Sequence, residues 1–319
     1  MGGRLYLVTG GAGFIGSHIV EALLKRGERV VVLDNLSTGR RENLESALRG
    51  ATGTPAPPLV LEGDILDPAM LRRALRGVTH VIHQAALPSV QRSIEDPAAS
   101  HEVNATGTLR LLGAARASGV RRFVYASSSS VYGDTPRLPK LESMQPAPLS
   151  PYAVSKLAGE HYCRIYHDLY GLETVSLRYF NVFGPRQDPN SQYAAVIPNF
   201  VKAAVSGDRP TIFGDGRQSR DFTFVDDAVE ANLRACDAPA AAAGGVFNIA
   251  RGVEICLLEL ISCLESILDV RIRPRHTPPR PGDVRRSLAS IDGARRLLGY
   301  RPRVGVEEGL RRTVAWFRG

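Results

Sequence analysis

From residue 5 onward, the chain alternates short apolar runs with stretches whose apolar residues recur every three or four positions. Period-2 and uninterrupted apolar runs mark strands, whereas the longer period marks helices. Strands are predicted at Leu5–Thr9, Val30–Leu33, Leu59–Glu62, Val78–His83, Phe123–Ala126 and Thr174–Arg178. Helices are predicted between them at Phe14–Arg26, Pro68–Leu75, His101–Ser118 and Tyr152–Tyr170. In the first helix Ile15, Ile19, Ala22 and Leu23 share one face. Gly50–Pro58 reads as a loop. Strand–helix alternation of this kind builds a parallel sheet covered on both faces.

After Arg178 the rhythm weakens and Pro and Gly become frequent. Late helices are expected at Asp226–Ala238, Leu257–Leu268 and Val306–Arg318, with Ala238–Gly245 a small-residue linker. The expected fold class is α/β: a Rossmann-type, doubly wound parallel sheet with a smaller, mixed α/β substrate-binding domain. The nucleotide domain is expected to take residues 1–178 and roughly 222–249, and the substrate domain roughly 179–221 and 250–319.

Composition narrows the partners. The chain has 319 residues, 44% of them apolar, enough for one large or two modest domains. No apolar run approaches the ~18 residues that a membrane helix needs. The first strand runs into glycines instead of a cleavage site, so neither a signal peptide nor a membrane partner is expected. The four cysteines (Cys163, Cys236, Cys256 and Cys263) are scattered, which suits core positions in a reducing cytoplasm and neither disulfides nor a metal site. A net charge of +8 would suit phosphate ligands, but the arginines are dispersed without interleaved aromatics. Nucleic acid is therefore not expected as a partner.

The segment Gly10-Gly11-Ala12-Gly13-Phe14-Ile15-Gly16 lies between the first strand and the first helix, the context required of a dinucleotide fingerprint. Glycines let the backbone approach a pyrophosphate, and the helix amino terminus supplies N–H donors and a positive dipole end. Asp34 ends the second strand, where a carboxylate accepts the adenosine ribose hydroxyls and repels a 2′-phosphate, favouring NAD over NADP. Arg40 and Arg41 follow and are expected to face solvent.

Tyr152 and Lys156 stand one helical turn apart, which puts a phenol and a cation on one face. A nearby ammonium favours the phenolate, and bringing its pKa to neutrality takes ~4 kcal/mol of differential stabilisation. The pair is a candidate base for an alcohol proton. Upstream, Ser127-Ser128-Ser129-Ser130 follows a buried strand, where four hydroxyls are poor core material and signal a functional loop.

The glycine loop, the serine loop before Val131-Tyr132-Gly133, and Tyr152-x-x-x-Lys156 together resemble the extended short-chain dehydrogenase/reductase family, whose best-known members are nucleotide-sugar epimerases and dehydratases. The resemblance implies that Tyr152 is the catalytic base, that Lys156 binds the nicotinamide ribose and lowers the tyrosine pKa, and that Ser128 holds the sugar 4-hydroxyl. It implies NAD contacts from Gly10, Gly13, Phe14, Ile15, Gly16, Asp34, Asn35, Ser37, Thr38, Gly39, Asp64, Ile65, Gln84, Ala85, Ala86, Asn104 and Tyr179, with His83 also lining the cofactor. Substrate contacts are implied at Ser89, Ser129, Asn181, Ala195, Val196, Arg220, Arg280, Asp283 and Ser287; guanidinium forks such as those of Arg220 and Arg280 suit diphosphate oxygens.

Members of this family begin by oxidising C4 of the sugar. Their dehydratases and decarboxylases carry an acid directly after the catalytic Ser or Thr, a position held here by Ser129. Elimination is therefore disfavoured, and return of the hydride after the 4-keto sugar turns over inverts C4. The blocks Arg178–Pro189 and Asp283–Ser287 look most like bacterial UDP-N-acetylglucosamine 4-epimerases. Glucose/galactose-restricted epimerases place a tyrosine against the C2 substituent; Ser287 at the matching site, like Ala195, leaves room for an acetamido group. UDP-glucose and UDP-galactose would also fit. Arg92 in the Ser89–Ser93 loop keeps a UDP-uronate 4-epimerase (glucuronate or N-acetylglucosaminuronate) as the alternative. A silent dinucleotide-binding protein is disfavoured by the intact Ser128, Tyr152 and Lys156. The resemblance also implies a homodimer packed through the helices at His101–Ser118 and Tyr152–Tyr170, with Leu109, Leu112, Tyr162 and Tyr166 facing outward.

Overall fold

Seven parallel strands form the central sheet of the computed structural model, which describes residues 3–51, 57–189, 196–278 and 284–319. They are β1 Leu5–Thr9, β2 Arg29–Asp34, β3 Leu59–Glu62, β4 His80–His83, β5 Arg122–Ser128, β6 Glu173–Tyr179 and β7 Gly245–Ile249. The order across the sheet is β7-β6-β5-β4-β1-β2-β3. The order reverses between β1 and β4, and ligands of open α/β sheets bind outside the carboxyl ends of the strands at such a switch point.

The sheet is buried on both faces, which explains why its strands read as apolar runs with little polar alternation. Tyr6, Val8, Val30, Val32, Ile82 and Val124 join one core, while Leu7, Val31, Leu33, Val81, Phe123 and Tyr125 join the other. Successive side chains point to opposite faces. Three helices position the site: α1 Phe14–Lys25, α2 Gly107–Ala117 and α3 Pro151–Tyr170. In α3, Ser150 caps the start by accepting from Ala153 N–H, Pro151 opens the first turn, and Gly171 ends the helix at φ +70°.

The remaining chain forms small sheets. Ser219–Asp221 pairs antiparallel with Glu254–Cys256 and parallel with Arg286–Ser287. Thr211–Phe213 pairs with Arg275–Thr277, and Val182–Phe183 with Thr223–Phe224. Helices at Val196–Ser206, Leu257–Leu268 and Val306–Arg318 pack beside them.

Two local expectations need correction, one falls partly outside the described residues, and one helix has no forerunner in the sequence pattern. Residues Arg41–Gly50 form a helix, although this polar stretch buries only Asn43, Leu44 and Ala47; packing on α1 supplies what periodicity did not announce. Of the expected Gly50–Pro58 loop, residues 52–56 lie outside the described part. The helix expected at His101–Ser118 is interrupted, with Pro97–His101 passing through a π-turn at Glu102–Thr106 into α2. Leu112 is fully buried and does not face outward, Tyr162 and Tyr166 are half-buried against the same core, and Leu109 is half-buried. The exposed apolar residues of α3 are Val154, Ile165, Leu169 and Tyr170. Among the described residues no helix is long and apolar enough to cross a membrane.

Candidate active site

A cleft of about 1040 Å³ opens at the carboxyl ends of the strands and runs from Asp34 and Gly39 to Tyr152 and Ser287. Its nucleotide end is shaped by two glycines. Gly10 turns at φ +69°, and a Cβ there would stand 2.6 Å from Ala85 N. At Gly16 a Cβ would stand 2.0 Å from Gly10 O, so the first turn of α1 packs directly on the loop. Asp34 is 8% exposed; its Oδ2 accepts Ala12 N–H and its Oδ1 accepts Leu36 N–H, both at 2.8 Å. Burial raises its pKa against these two bonds. The carboxylate thus shapes the loop and still lines the cleft, where its remaining lone pairs suit ribose hydroxyls.

Gly13, Phe14, Ile15, Asn35, Ser37, Thr38, Asp64, Ile65, Gln84, Ala85, Ala86 and Tyr179 also line the cleft. This donor-rich, turn-shaped end fits a dinucleotide. Two residues expected there do not line it. His83 and Asn104 are each 1% exposed and lie behind the wall, engaged in hydrogen bonds of their own. Arg40 and Arg41 are both exposed, as expected; Arg40 also borders the cleft and pairs with Asp188 at 2.6 Å, while Arg41 pairs with Glu62.

At the other end, β5 delivers the serine loop. Ser128 Oγ accepts from Ser130 N–H at 3.2 Å and from Ser130 Oγ at 2.9 Å. Ser128, Ser129 and Ser130 line the same cleft as Tyr152 and Lys156. Tyr152 lies in the first turn of α3, where the helix dipole favours an anion. Lys156 Nζ lies 5.9 Å from the centre of the Tyr152 ring and donates to Ala126 O at 2.9 Å. Burial pushes Lys156 down to about 8. Burial also pushes the Tyr152 phenol above its ordinary value, and a hydrogen bond with Ser128 opposes this. In the protein alone desolvation of the phenolate dominates, so Tyr152 stands above its ordinary value and not below it.

Beneath the serine loop lies a buried ion pair. Arg178 at the end of β6 donates from Nε to Glu160 Oε1 at 2.9 Å and from Nη2 to Glu160 Oε2 at 2.7 Å. Both side chains are 4% exposed. Glu160, one turn beyond Lys156, also accepts from the Ser127 hydroxyl, and the Arg178 guanidinium lies 4.6 Å from the Tyr132 ring centre. Tyr132 in turn donates to Asn248 on β7 at 2.7 Å.

Of the expected substrate residues, Ser89, Ser129, Asn181, Arg220 and Ser287 line the cleft. Val196 opens a helix and packs on the core. Ala195, Arg280 and Asp283 lie outside the described residues. Ser89 and Asn181 hold φ of 101° and 37°, and such strained backbone clusters at functional sites. Lys140, Arg92 and Asp188 also line the cleft. Arg92 is the cation behind the uronate alternative, whereas no local pattern marks the other two; Lys140 arrives because its backbone pairs with Leu288 and Ser290, beside Ser287. No His/Cys/Asp/Glu group that could hold a metal occurs among the described residues.

Comparison with known proteins agrees with this geometry. The chain is 43% identical over 314 residues to a UDP-glucose 4-epimerase of Mycolicibacterium smegmatis, covering 98% of each. It is similar to the solved UDP-N-acetylglucosamine 4-epimerase of Methanobrevibacter ruminantium, in complex with UDP-N-acetylmuramic acid, at TM-score 0.93 and 39% identity, covering 100% and 99% of the two chains. It is also similar to the UDP-glucose 4-epimerase of Thermotoga maritima with UDP-glucose, at TM-score 0.92 and 39% identity, covering 99% of each. The family model matches residues 6–250, and with the glycine turn, the switch-point cleft and the Ser128–Tyr152–Lys156 cluster in one place, the chain belongs to the NAD dependent epimerase/dehydratase family.

Proposed function

We propose that the protein catalyses NAD-dependent 4-epimerisation of a UDP-hexose through a 4-keto intermediate, with UDP-N-acetylglucosamine and UDP-N-acetylgalactosamine as the preferred pair and UDP-glucose and UDP-galactose also accepted. The observation that carries this reading is the sugar end of the cleft: a phenol, an ammonium and three serines with no carboxylate among them. Among the described residues, the carboxylates that line the cleft are Asp34 and Asp64, at the nucleotide end, and Asp188, which is paired with Arg40. Elimination would need an acid beside C5 and C6.

Gly10, Gly13 and the first turn of α1 would hold the pyrophosphate, Asp34 the adenosine ribose, Asp64 and Ile65 the adenine, and Lys156 the nicotinamide ribose. Bound NAD supplies the hydride acceptor, and later the donor, at C4. Tyr152 takes the 4-hydroxyl proton and returns it, while Ser128 holds that oxygen. Arg220 and Arg280 would clamp the diphosphate, with Asn181 beside it. Residues 1–178 with 222–249 would serve the nucleotide, and 179–221 with 250–319 the sugar. The exposed apolar residues of α3 support a homodimer, and a monomer in sedimentation would refute it.

Proton NMR of the protein with a panel of UDP-sugars in D2O tests the reaction. The expected result is C4 inversion without deuterium at C4, fastest for the acetamido pair. Deuterium at C5 with loss of water would instead reveal a dehydratase. A second reading, a UDP-uronate 4-epimerase, is favoured by Arg92 and Lys140, two cations that line the cleft. Inversion of UDP-glucuronate alone would establish it.

Ser287 would set the room at C2. Ser287→Tyr is expected to cut kcat/KM for UDP-N-acetylglucosamine at least about tenfold more than for UDP-glucose, within what pocket shape supplies. Equal losses on the two sugars would remove Ser287 from that role.

A further inference from the structure

Thr9, the last residue of β1, lies directly across from His83, the last residue of β4, at the point where the strand order reverses. His83 is 1% exposed and takes no part in the cleft wall. Each ring nitrogen has one partner: Nδ1 lies 2.7 Å from Thr9 Oγ1, and Nε2 lies 2.9 Å from Thr108 Oγ1.

The partners' other bonds decide which nitrogen carries the proton. Thr108 Oγ1 donates to the Asn104 carbonyl at 2.6 Å. A hydroxyl has one hydrogen, so Thr108 must accept from Nε2–H. Nδ1 is then an acceptor, and Thr9 Oγ1 donates to it while accepting from Ala85 N–H at 3.3 Å. The other tautomer would leave the Thr108 and Asn104 oxygens 2.6 Å apart with no hydrogen between them. It would also leave the Thr9 hydroxyl hydrogen without an acceptor among the described residues. Burial, helped by the Lys156 charge, pushes the ring down to about 3, so the imidazole stays neutral.

The chain of bonds continues to the base. Asn104, inside the π-turn, accepts from Leu87 N–H at 2.8 Å and donates to Leu87 O at 3.1 Å and to Ser155 Oγ at 3.2 Å. Ser155 Oγ donates to the Tyr152 carbonyl at 2.8 Å. At its other end the chain meets the phosphate turn, where Ala85 packs against Gly10, the residue after Thr9. Every hydroxyl and amide along this path is satisfied in one direction only.

We propose that His83 is a positioning residue for the reaction: as a neutral Nε2–H imidazole it ties the phosphate turn after Thr9 to the Asn104 turn that holds the start of α3, and so sets where Tyr152 stands relative to the dinucleotide. The role rests on Tyr152 being the base. A hydrogen bond is directional, so this path fixes both the spacing and the rotation of the elements it joins. An apolar residue in place of His83 would fill the same volume without holding either.

Nitrogen-15 spectra of the histidine rings test the tautomer in the wild-type protein, with His83 assigned from the proximity of its Nε2–H to Thr108 protons. The expected result is a proton on Nε2 and no titration between about pH 5 and about pH 8, where an ordinary histidine changes charge. A proton on Nδ1, or titration near ~6.5, would overturn the proposal. Kinetically, Thr108→Val is expected to lower kcat about tenfold through misplacement, with KM for the UDP-sugar and bound NAD unchanged, and Thr108→Ser to restore it. An unchanged kcat, a loss confined to KM, or no rescue by serine would also overturn it. The spectra do not depend on turnover. Activity surviving Tyr152→Phe would therefore remove the base, and this role with it, while leaving the tautomer standing.

Discussion

Tyr152→Phe is expected to lower kcat by about 10²–10⁴-fold, the usual contribution of a positioned general base. The phenyl ring keeps the volume of the side chain, so the start of α3, the Ser150 cap and the cleft should persist. Bound NAD and thermal stability should therefore match the parent protein. Absorbance near 340 nm on adding UDP-sugar gives a second readout, since the variant should show no reduced cofactor. A kcat within about tenfold of the parent would show that another group takes the proton, because the phenol oxygen is the only atom removed. Burial holds the phenol above its ordinary value, so in the protein alone it keeps its proton near neutral pH. The helix dipole, the Ser128 hydroxyl, the nearby Lys156 ammonium and the positive charge of oxidised nicotinamide must together offset that desolvation.

Glu160→Ala is expected to cost about 3–5 kcal/mol of stability, the range for breaking one partner out of a buried ion pair. It would leave the Arg178 guanidinium, 4% exposed, without its two charge-assisted bonds, and Ser127 without its acceptor. Urea unfolding of the purified protein measures the loss. Pairing Glu160→Leu with Arg178→Met is expected to recover most of it, since two apolar side chains leave no buried charge behind. A single variant as stable as the parent would show that water reaches Arg178. If the double variant folds but turns over poorly, the pair also holds the serine loop in register, because Ser127 precedes Ser128 on the same strand.

How much of this was legible beforehand differs by element. Strand β1, helix α1 and the glycines between them were readable because each signal is local: an apolar run, a 3.6-residue period, and turn residues within one short stretch. Tyr152 and Lys156 were readable as a pair because helix geometry alone fixes i and i+4. The strand β7 was not, because Gly245–Ile249 is short and gains its place only by pairing with β6 across a long stretch of sequence. The pairing of Arg40 was not readable for the same kind of reason, since its partner Asp188 comes from the other half of the chain.

By itself, then, the sequence determined the alternation that builds the sheet, the dinucleotide turn, the absence of an acid in the serine loop and the small side chain at position 287. Those properties depend on side-chain type and short spacing. The tertiary structure decided which groups share a surface: Lys140 beside the Ser287 segment, Glu160 under Ser127, and His83 behind the wall instead of on it. It also decided their ionisation, because desolvation depends on what every other part of the chain covers. That is why Lys156 is found pushed down to about 8 and Tyr152 pushed up, where spacing alone pointed to a lowered tyrosine.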